Sequence, residues 1–228
     1  MGRHSRLAIE LRRYQRSDFH IHSNFSDGEN SIEELVKAAI NLNLDAIAIT
    51  DHVRKESDWI DRYIEEIERL RTEYGDKIQI YSGIEAKAID LEGDIDAKPE
   101  FFDKVDIVLG AIHRIPRARY QFLTPDEVKD NSETLTLWFT VMRSLIRNSD
   151  IGIIAHPGSY LKKSDIPIPI EMKKKLAMEA RKHRKILEIN LRHKTPDEEF
   201  LKLLEENEVT MVVGSDSHSV EDLYRFWS

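Results

Sequence analysis

The sequence predicts a single α/β domain of about seven strand-then-helix units, and three observations carry that expectation. Short β-rich runs alternate with longer stretches of helical period along almost the whole chain. No polar linker or low-complexity tract interrupts the alternation, so parallel strands joined by helical crossovers are expected. The length, 228 residues, is one that a single α/β barrel routinely uses.

The units read in order as follows. A first strand, Phe19–Ser23, leads to a helix over Ser31–Asn43, opened by a capping box in which Ser31 stands three residues before Glu34. Its apolar residues Ile32, Leu35, Val36, Ala39 and Ile40 fall on one face, as core contact requires. Strand Ala46–Thr50 and helix Asp58–Tyr74 form the second unit, and strand Ile78–Ser82 follows. Strand Ile107–Ile112 precedes a helical stretch over Thr124–Asn148, then strand Gly152–Ala155. A loop carrying Lys162, Lys163, Pro167 and Pro169 leads to helix Glu171–His183 and strand Ile186–Asn190. The next helix spans Pro196–Asn207, with Thr195 as N-cap and Pro196 at the first helical position. Strand Thr210–Val213 and helix Ser219–Phe226 complete the series. Residues 1–17 read as an N-terminal extension and 18–228 as the domain.

Composition excludes several classes. The chain has no cysteine, which removes disulfide scaffolds, thiolate zinc sites, iron–sulfur ligation and a cysteine nucleophile. Any metal must be held by nitrogen and oxygen. Forty-two acidic against 34 basic residues give a net charge of -8, which argues against a broad nucleic-acid surface but not against an anionic substrate. The basic segment Met1 to Arg16 lacks the apolar core of a signal peptide, and Arg6 stands where a myristoylation signal wants Ser or Thr. No window is apolar enough to cross a bilayer, so no membrane partner is expected and the cytoplasm is the default location.

Periodicity does not separate a closed barrel from an open doubly wound sheet, but chemistry does, because a barrel gathers its reactive residues at the C-terminal ends of many strands. Here the strand ends read His20-Ile21-His22, Thr50-Asp51-His52, Gly83-Ile84-Glu85, Ala111-Ile112-His113, Ala155-His156-Pro157 and Ser215-Asp216-Ser217-His218. His20 and His22 lie two apart, so on a strand both point to one face and can grip one ion, and Asp216 with His218 repeats the spacing. A lone histidine such as His113 or His156 would more often be an ordinary core or surface group, and Asp51 alone reads as structural or second to a ligand. Coincidence decides otherwise: six of the seven strands end in a candidate ligand. Six histidines with Glu85, Asp216 and Asp27 exceed what one tetrahedral ion uses, so two or three divalent ions are expected. Imidazole and carboxylate suit Zn, Mn or Fe alike. Adjacent divalent ions suit hydrolysis of a phosphate ester, since they polarise phosphoryl oxygens and make hydroxide available near neutral pH.

The ordered set His20-x-His22-x-x-x-Ser26-Asp27-Gly28, Thr50-Asp51-His52, Gly83-x-Glu85, Gly110-Ala111-Ile112-His113, His156-Pro157 and Gly214-Ser215-Asp216-Ser217-His218 resembles the PHP (polymerase and histidinol phosphatase) family from Phe19 to His218. The resemblance implies a distorted (βα)7 TIM-like barrel with a trinuclear centre in its C-terminal mouth. It implies that His20 and His22, with Glu85 and Asp216, hold one ion. Glu85 then bridges to a second ion on His113 and His156, and Asp27, His52 and His218 hold the third. Some histidinol phosphatases have histidine where this chain has Asp27, which favours the broader phosphoesterase branch.

The activity expected is hydrolysis of a phosphomonoester, a small metabolite or nucleotide, by a metal-activated hydroxide acting through His20, His22, Glu85 and Asp216. His193 is a candidate proton donor to the leaving group. Arg192 is the first candidate for binding phosphate, and Arg114, Arg117 and Arg119 form a second basic cluster. Three other readings stand beside this one. An amidohydrolase would also open with His-x-His, but expects eight strands and a modified lysine. A 3′–5′ exonuclease would take short single-stranded nucleic acid as partner. A non-catalytic module would use metal only to stabilise the barrel, and rarely needs so many ligands.

Overall fold

A computed structural model describes Leu11, residues 14–129 and residues 131–228. Most of the N-terminal extension, with the segment read against export and myristoylation, lies outside the described residues. Seven parallel strands form the main sheet: β1 (Ser17–Ile21), β2 (Ala46–His52), β3 (Gln79–Lys87), β4 (Ile107–Ala111), β7 (Ile153–Ile154), β8 (Ile186–Asn190) and β9 (Met211–Gly214), in that spatial order. The two ends of the sheet meet: Ile21 bridges Ser217, the Asp216 N–H donates to the His20 carbonyl at 2.8 Å, and the His22 N–H donates to the Ser217 carbonyl at 2.8 Å. The sheet is therefore a seven-stranded barrel, as the placement of ligands along the sequence predicts.

Strand alternation divides the core in two. In β2, Ala46 and Ala48 belong to an inner cluster with Phe19, Tyr81, Ile107, Leu109, Ile153, Ile186 and Val212, while Ile47 and Ile49 face the surrounding helices. Leu11, only 2% exposed, joins the inner cluster, so part of the extension packs into the barrel. Following the inward parity beyond these apolar residues reaches His52 on β2, Glu85 on β3 and Glu188 on β8. In β1 the register shifts between Asp18 and Ile21, which lets Phe19 fill the inner cluster while His20, next in sequence, also turns inward.

The crossovers are α1 (Ile32–Asn41), α2 (Ile60–Tyr74), α3 (Pro99–Phe102), α4 (Ser132–Arg147), α5 (Ser159–Lys163), α6 (Ile170–His183) and α7 (Glu198–Glu206), and α8 (Val220–Trp227) follows the last strand. The capping box of α1 forms as predicted, with the Ser31 N–H donating to Glu34 at 2.9 Å. Two expectations fail locally. The stretch Thr124–Asn148 is not one helix but a 3-10 turn at Pro125–Glu127 followed by α4, which Asn131 caps by accepting from the Thr134 N–H at 2.8 Å. Thr195 does not cap α7. Asp197 does, accepting from the Phe200 N–H at 2.9 Å, while the Thr195 N–H and carbonyl pair with Asn190. The hairpin β5 (Pro116–Ala118) and β6 (Gln121–Phe122), with α3 and α5, is too short to show a period in sequence. Among the described residues no helix is long and apolar enough to cross a membrane.

Candidate metal centre

Glu85 lies at the middle of the barrel mouth, 1% exposed, and its carboxylate meets five histidines from four other segments. His52 Nδ1 and His156 Nε2 approach it at 2.8 Å, His113 Nε2 at 3.0 Å, His20 Nε2 at 3.4 Å and His22 Nε2 at 3.7 Å. Asp216 stands 3.5 Å from His22 and 3.1 Å from His193. Asp27, more exposed, lies 3.5 Å from His52, 3.6 Å from His218 and 3.9 Å from His22. All nine candidate ligands thus come together in one mouth, from both ends of the chain, with His193 beside them.

Three sets of donor atoms within it are each mutually within 4.8 Å: His22, Asp27, His52 and His218; His20, His22 and Glu85; His52, Glu85 and His113. The donors are imidazole nitrogens and carboxylate oxygens, which suits Zn, Mn or Fe. A second observation supports a fit to cations. The Nε2 atom of His20 and both ring nitrogens of His22 are buried with no hydrogen-bond partner among the described residues, a costly arrangement that a cation on one lone pair of each ring would relieve. Electrostatics point the same way. Burial alone would raise the Glu85 carboxyl, but His113, His20 and His52 outweigh it and hold Glu85 well below the usual carboxylate range. Burial pushes His22 down to about 3, leaving a neutral ring suited to ligation. Asp216 is likewise held far below its usual value despite its burial, by His193, His20 and His22.

A PHP domain model matches residues 18–192. The chain belongs to the PHP domain family. Among its relatives are a probable phosphatase of Caldicellulosiruptor saccharolyticus, 29% identical over 86% of this chain and 77% of that one, and the DNA polymerase/3'-5' exonuclease PolX of Bacillus subtilis, 28% identical over 91% of this chain but only 35% of that one. A solved histidinol phosphate phosphatase from Lactococcus lactis, in complex with zinc, L-histidinol and phosphate, shares the fold, with a TM-score of 0.64 and 21% identity over 92% of this chain and 90% of that one. The PHP chain described here is a metal-dependent phosphoester hydrolase.

A cavity of about 390 Å³ opens above the candidate centre of this PHP chain, lined by six of its nine candidate ligands together with Ser159, Tyr160, Lys163, Arg192 and His193. The predicted phosphate binders fall into two groups. Arg192 lines the cavity, but its guanidinium is committed, donating to the Asp216 carbonyl at 2.7 Å and pairing with Asp222. Arg114, Arg117 and Arg119 do not line it. They sit on or beside the β5–β6 hairpin, where Arg114 stacks on Phe122, Arg117 pairs with Glu127 at 3.0 Å, and Arg119 pairs with Asp90 at 2.7 Å and Asp94 at 2.6 Å. Lys163 lines the cavity and has no ion-pair partner among the described residues.

Several residues around the candidate ligands of this PHP chain carry no metal-ligand signal in sequence. Asp51, which the sequence does mark as a supporting group, accepts from the Ser23 N–H at 2.8 Å and from the Ser23 and Ser26 hydroxyls at 2.6 Å, bracing the loop that carries Asp27. Ser159 lies 2.9 Å from His156 Nδ1. Asp18, Glu188 and Asn190 are buried beneath the centre, and only the inward parity of β8 in Ile186–Asn190 hints at the last two.

Proposed function

We propose that this phosphoesterase hydrolyses a small phosphomonoester at a centre of two or three divalent ions held by His20, His22, Asp27, His52, Glu85, His113, His156, Asp216 and His218. The observation that carries the reading is that His20 Nε2 and His22 Nε2, both facing the Glu85 carboxylate, are buried with no hydrogen-bond partner among the described residues. Bound divalent ions supply positive charge for the phosphoryl oxygens and lower the pKa of a water so that it can attack phosphorus near neutral pH. The chain's own residues do the rest. Lys163, on the rim with no ion-pair partner among the described residues, receives a non-bridging phosphate oxygen, and the remaining face of Arg192 adds a second cationic contact. His193, held 3.1 Å from Asp216 and facing the cavity, donates a proton to the departing alkoxide. The cavity, about 390 Å³, matches a small metabolite or a single nucleotide.

A second reading, removal of nucleotides from single-stranded ends, is supported by the likeness to the Bacillus polymerase and exonuclease. A screen of phosphomonoesters, nucleotides and short single-stranded DNA, each with Mn, Fe and Zn in turn, separates the two. Turnover of phosphomonoesters with oligonucleotides left intact is the expected result. Trimming of DNA without phosphomonoester turnover would replace the first reading with the second.

A further inference from the structure

Six of the seven barrel strands end in candidate ligands, and β8 is the exception. Its inward residues beyond Ile186 are Glu188 and Asn190, both 1% exposed. Glu188 does not line the cavity, yet its two oxygens are fully engaged. Oε1 accepts from His20 Nδ1 at 2.8 Å and from Asn190 Nδ2 at 3.1 Å, while Oε2 accepts from the backbone N–H of His156. Asn190 extends the chain of contacts, its Oδ1 accepting from the His193 N–H at 2.8 Å. One carboxylate is therefore linked to His20 through the ring, to His156 through the backbone and to His193 through Asn190.

We infer that Glu188 is the positioning residue of the metal centre: it fixes the proton of His20 on Nδ1, leaving the Nε2 lone pair for a cation, and anchors the strand end that presents His156. The inference rests on the metal-centre reading above. Its physical basis is that a neutral imidazole has one N–H and one lone pair, and the partner of one nitrogen decides the role of the other. With a carboxylate at Nδ1, the proton belongs there. His20 Nε2 then faces Glu85 at 3.4 Å, buried and without a hydrogen bond, as a ligand atom would be. A carboxylate behind a ligating histidine also raises the basicity of the ring. At His156 the backbone takes φ of 29°, a region that non-glycine residues rarely occupy, and the Glu188 contact to its N–H holds it there.

The sequence around Glu188 makes room for this carboxylate. Gly214 on the neighbouring β9 pairs with Asn190, and a Cβ built on it would lie 2.0 Å from Glu188 Oε1 and 2.6 Å from the His20 Cβ. Only glycine at that position lets the carboxylate reach the imidazole. Three donors converge on Glu188 and none is supplied by it, so a carboxamide cannot replace it: in either orientation, an NH2 group would face an N–H of His20, Asn190 or His156.

The test uses the full chain stripped of metal and titrated with zinc against a chelator, comparing native protein with Glu188→Gln and Gly214→Ala. Both variants are expected to bind zinc about 10–100-fold more weakly, with folding checked by circular dichroism. Histidine-labelled, zinc-loaded native protein supplies a readout that needs no variant: NMR should place the His20 proton on Nδ1, protected from exchange. Variants that fold and bind zinc within about threefold of native would overturn the inference, as would a His20 proton found on Nε2. Those outcomes leave the metal reading intact, whereas a native chain that binds no divalent ion overturns both.

Discussion

His22 is the residue on which the proposed chemistry depends most directly, because it is fully buried and belongs to two of the three donor sets. His22→Ala should lower phosphomonoester turnover by about a thousandfold, the several kcal/mol that metal-ion catalysis supplies, while circular dichroism stays native. Full activity in that variant would remove the site. Lys163 and Arg192 should separate kinetically. Lys163 touches no partner among the described residues, so Lys163→Ala should raise KM about tenfold and leave metal content unchanged, an exposed charge-assisted contact being worth ~1.5 kcal/mol. Arg192 also braces the Asp216 carbonyl and Asp222, so Arg192→Ala should lower kcat as well as raise KM. Eight of the nine candidate ligands were legible in sequence because they stand at or just past the end of a predicted strand, whereas Asp27 lies on the loop after β1; side-chain type plus strand parity is information one sequence contains. Glu188 was not, since a glutamate in a strand reads as solvent-facing until the barrel closes around it.

Between elements, the clearest strut joins α4 to α6. Glu179 on α6, 14% exposed, accepts from Arg143 at 2.8 Å and from Arg147 at 2.6 Å on α4. Its carboxyl is pulled down to about 2, chiefly by Arg147 and further by Arg143. A depressed carboxyl stabilises the fold above its unfolded pKa near 4.5 and loses that contribution as pH falls toward about 2. Glu179→Gln should therefore cost about 1 kcal/mol at pH 7, discounted because both arginines are largely exposed, and the gap from native protein should close as pH drops through that window. Urea titrations of the metal-free chain at several pH values measure it, and a gap that persists near pH 2 would reject the assignment. Helix periodicity found α4 and α6, but α4 begins later than the pattern suggests, because Asn131 takes the cap and the preceding apolar residues belong to a turn. Propensity and period do not reveal which of several polar residues wins a cap.

For the molecule as a whole, the concentration of Glu85, Asp216, Asp27 and Glu188 in one mouth means that cations and fold are coupled. Ions that bind only the native state stabilise it by ~2.7 kcal/mol each at a hundred times their dissociation constant. At ~2–4 °C per kcal/mol for a domain of this size, chelation should lower the melting temperature by roughly 5–10 °C for each ion lost. Calorimetry with and without chelator checks this, and an unchanged Tm would argue that the ions contribute nothing to the fold. The barrel itself was legible from ligands at its strand ends, whereas the closing contact was not, because it joins distant residues. At that seam Asp18 accepts from the Ser215 N–H at 2.9 Å and from Trp227 Nε1 at 2.8 Å, partners 197 and 209 residues away in the chain. The order of synthesis follows from this. A ribosome delivers His20 and His22 first and Asp216 and His218 last, so a nascent chain carries most of its candidate ligands with an open sheet and no finished mouth. Metal binding at this mouth is thus expected to await β9: a chain cut short before that strand lacks the wall against which the first strand docks, and should bind zinc no better than an unfolded chain.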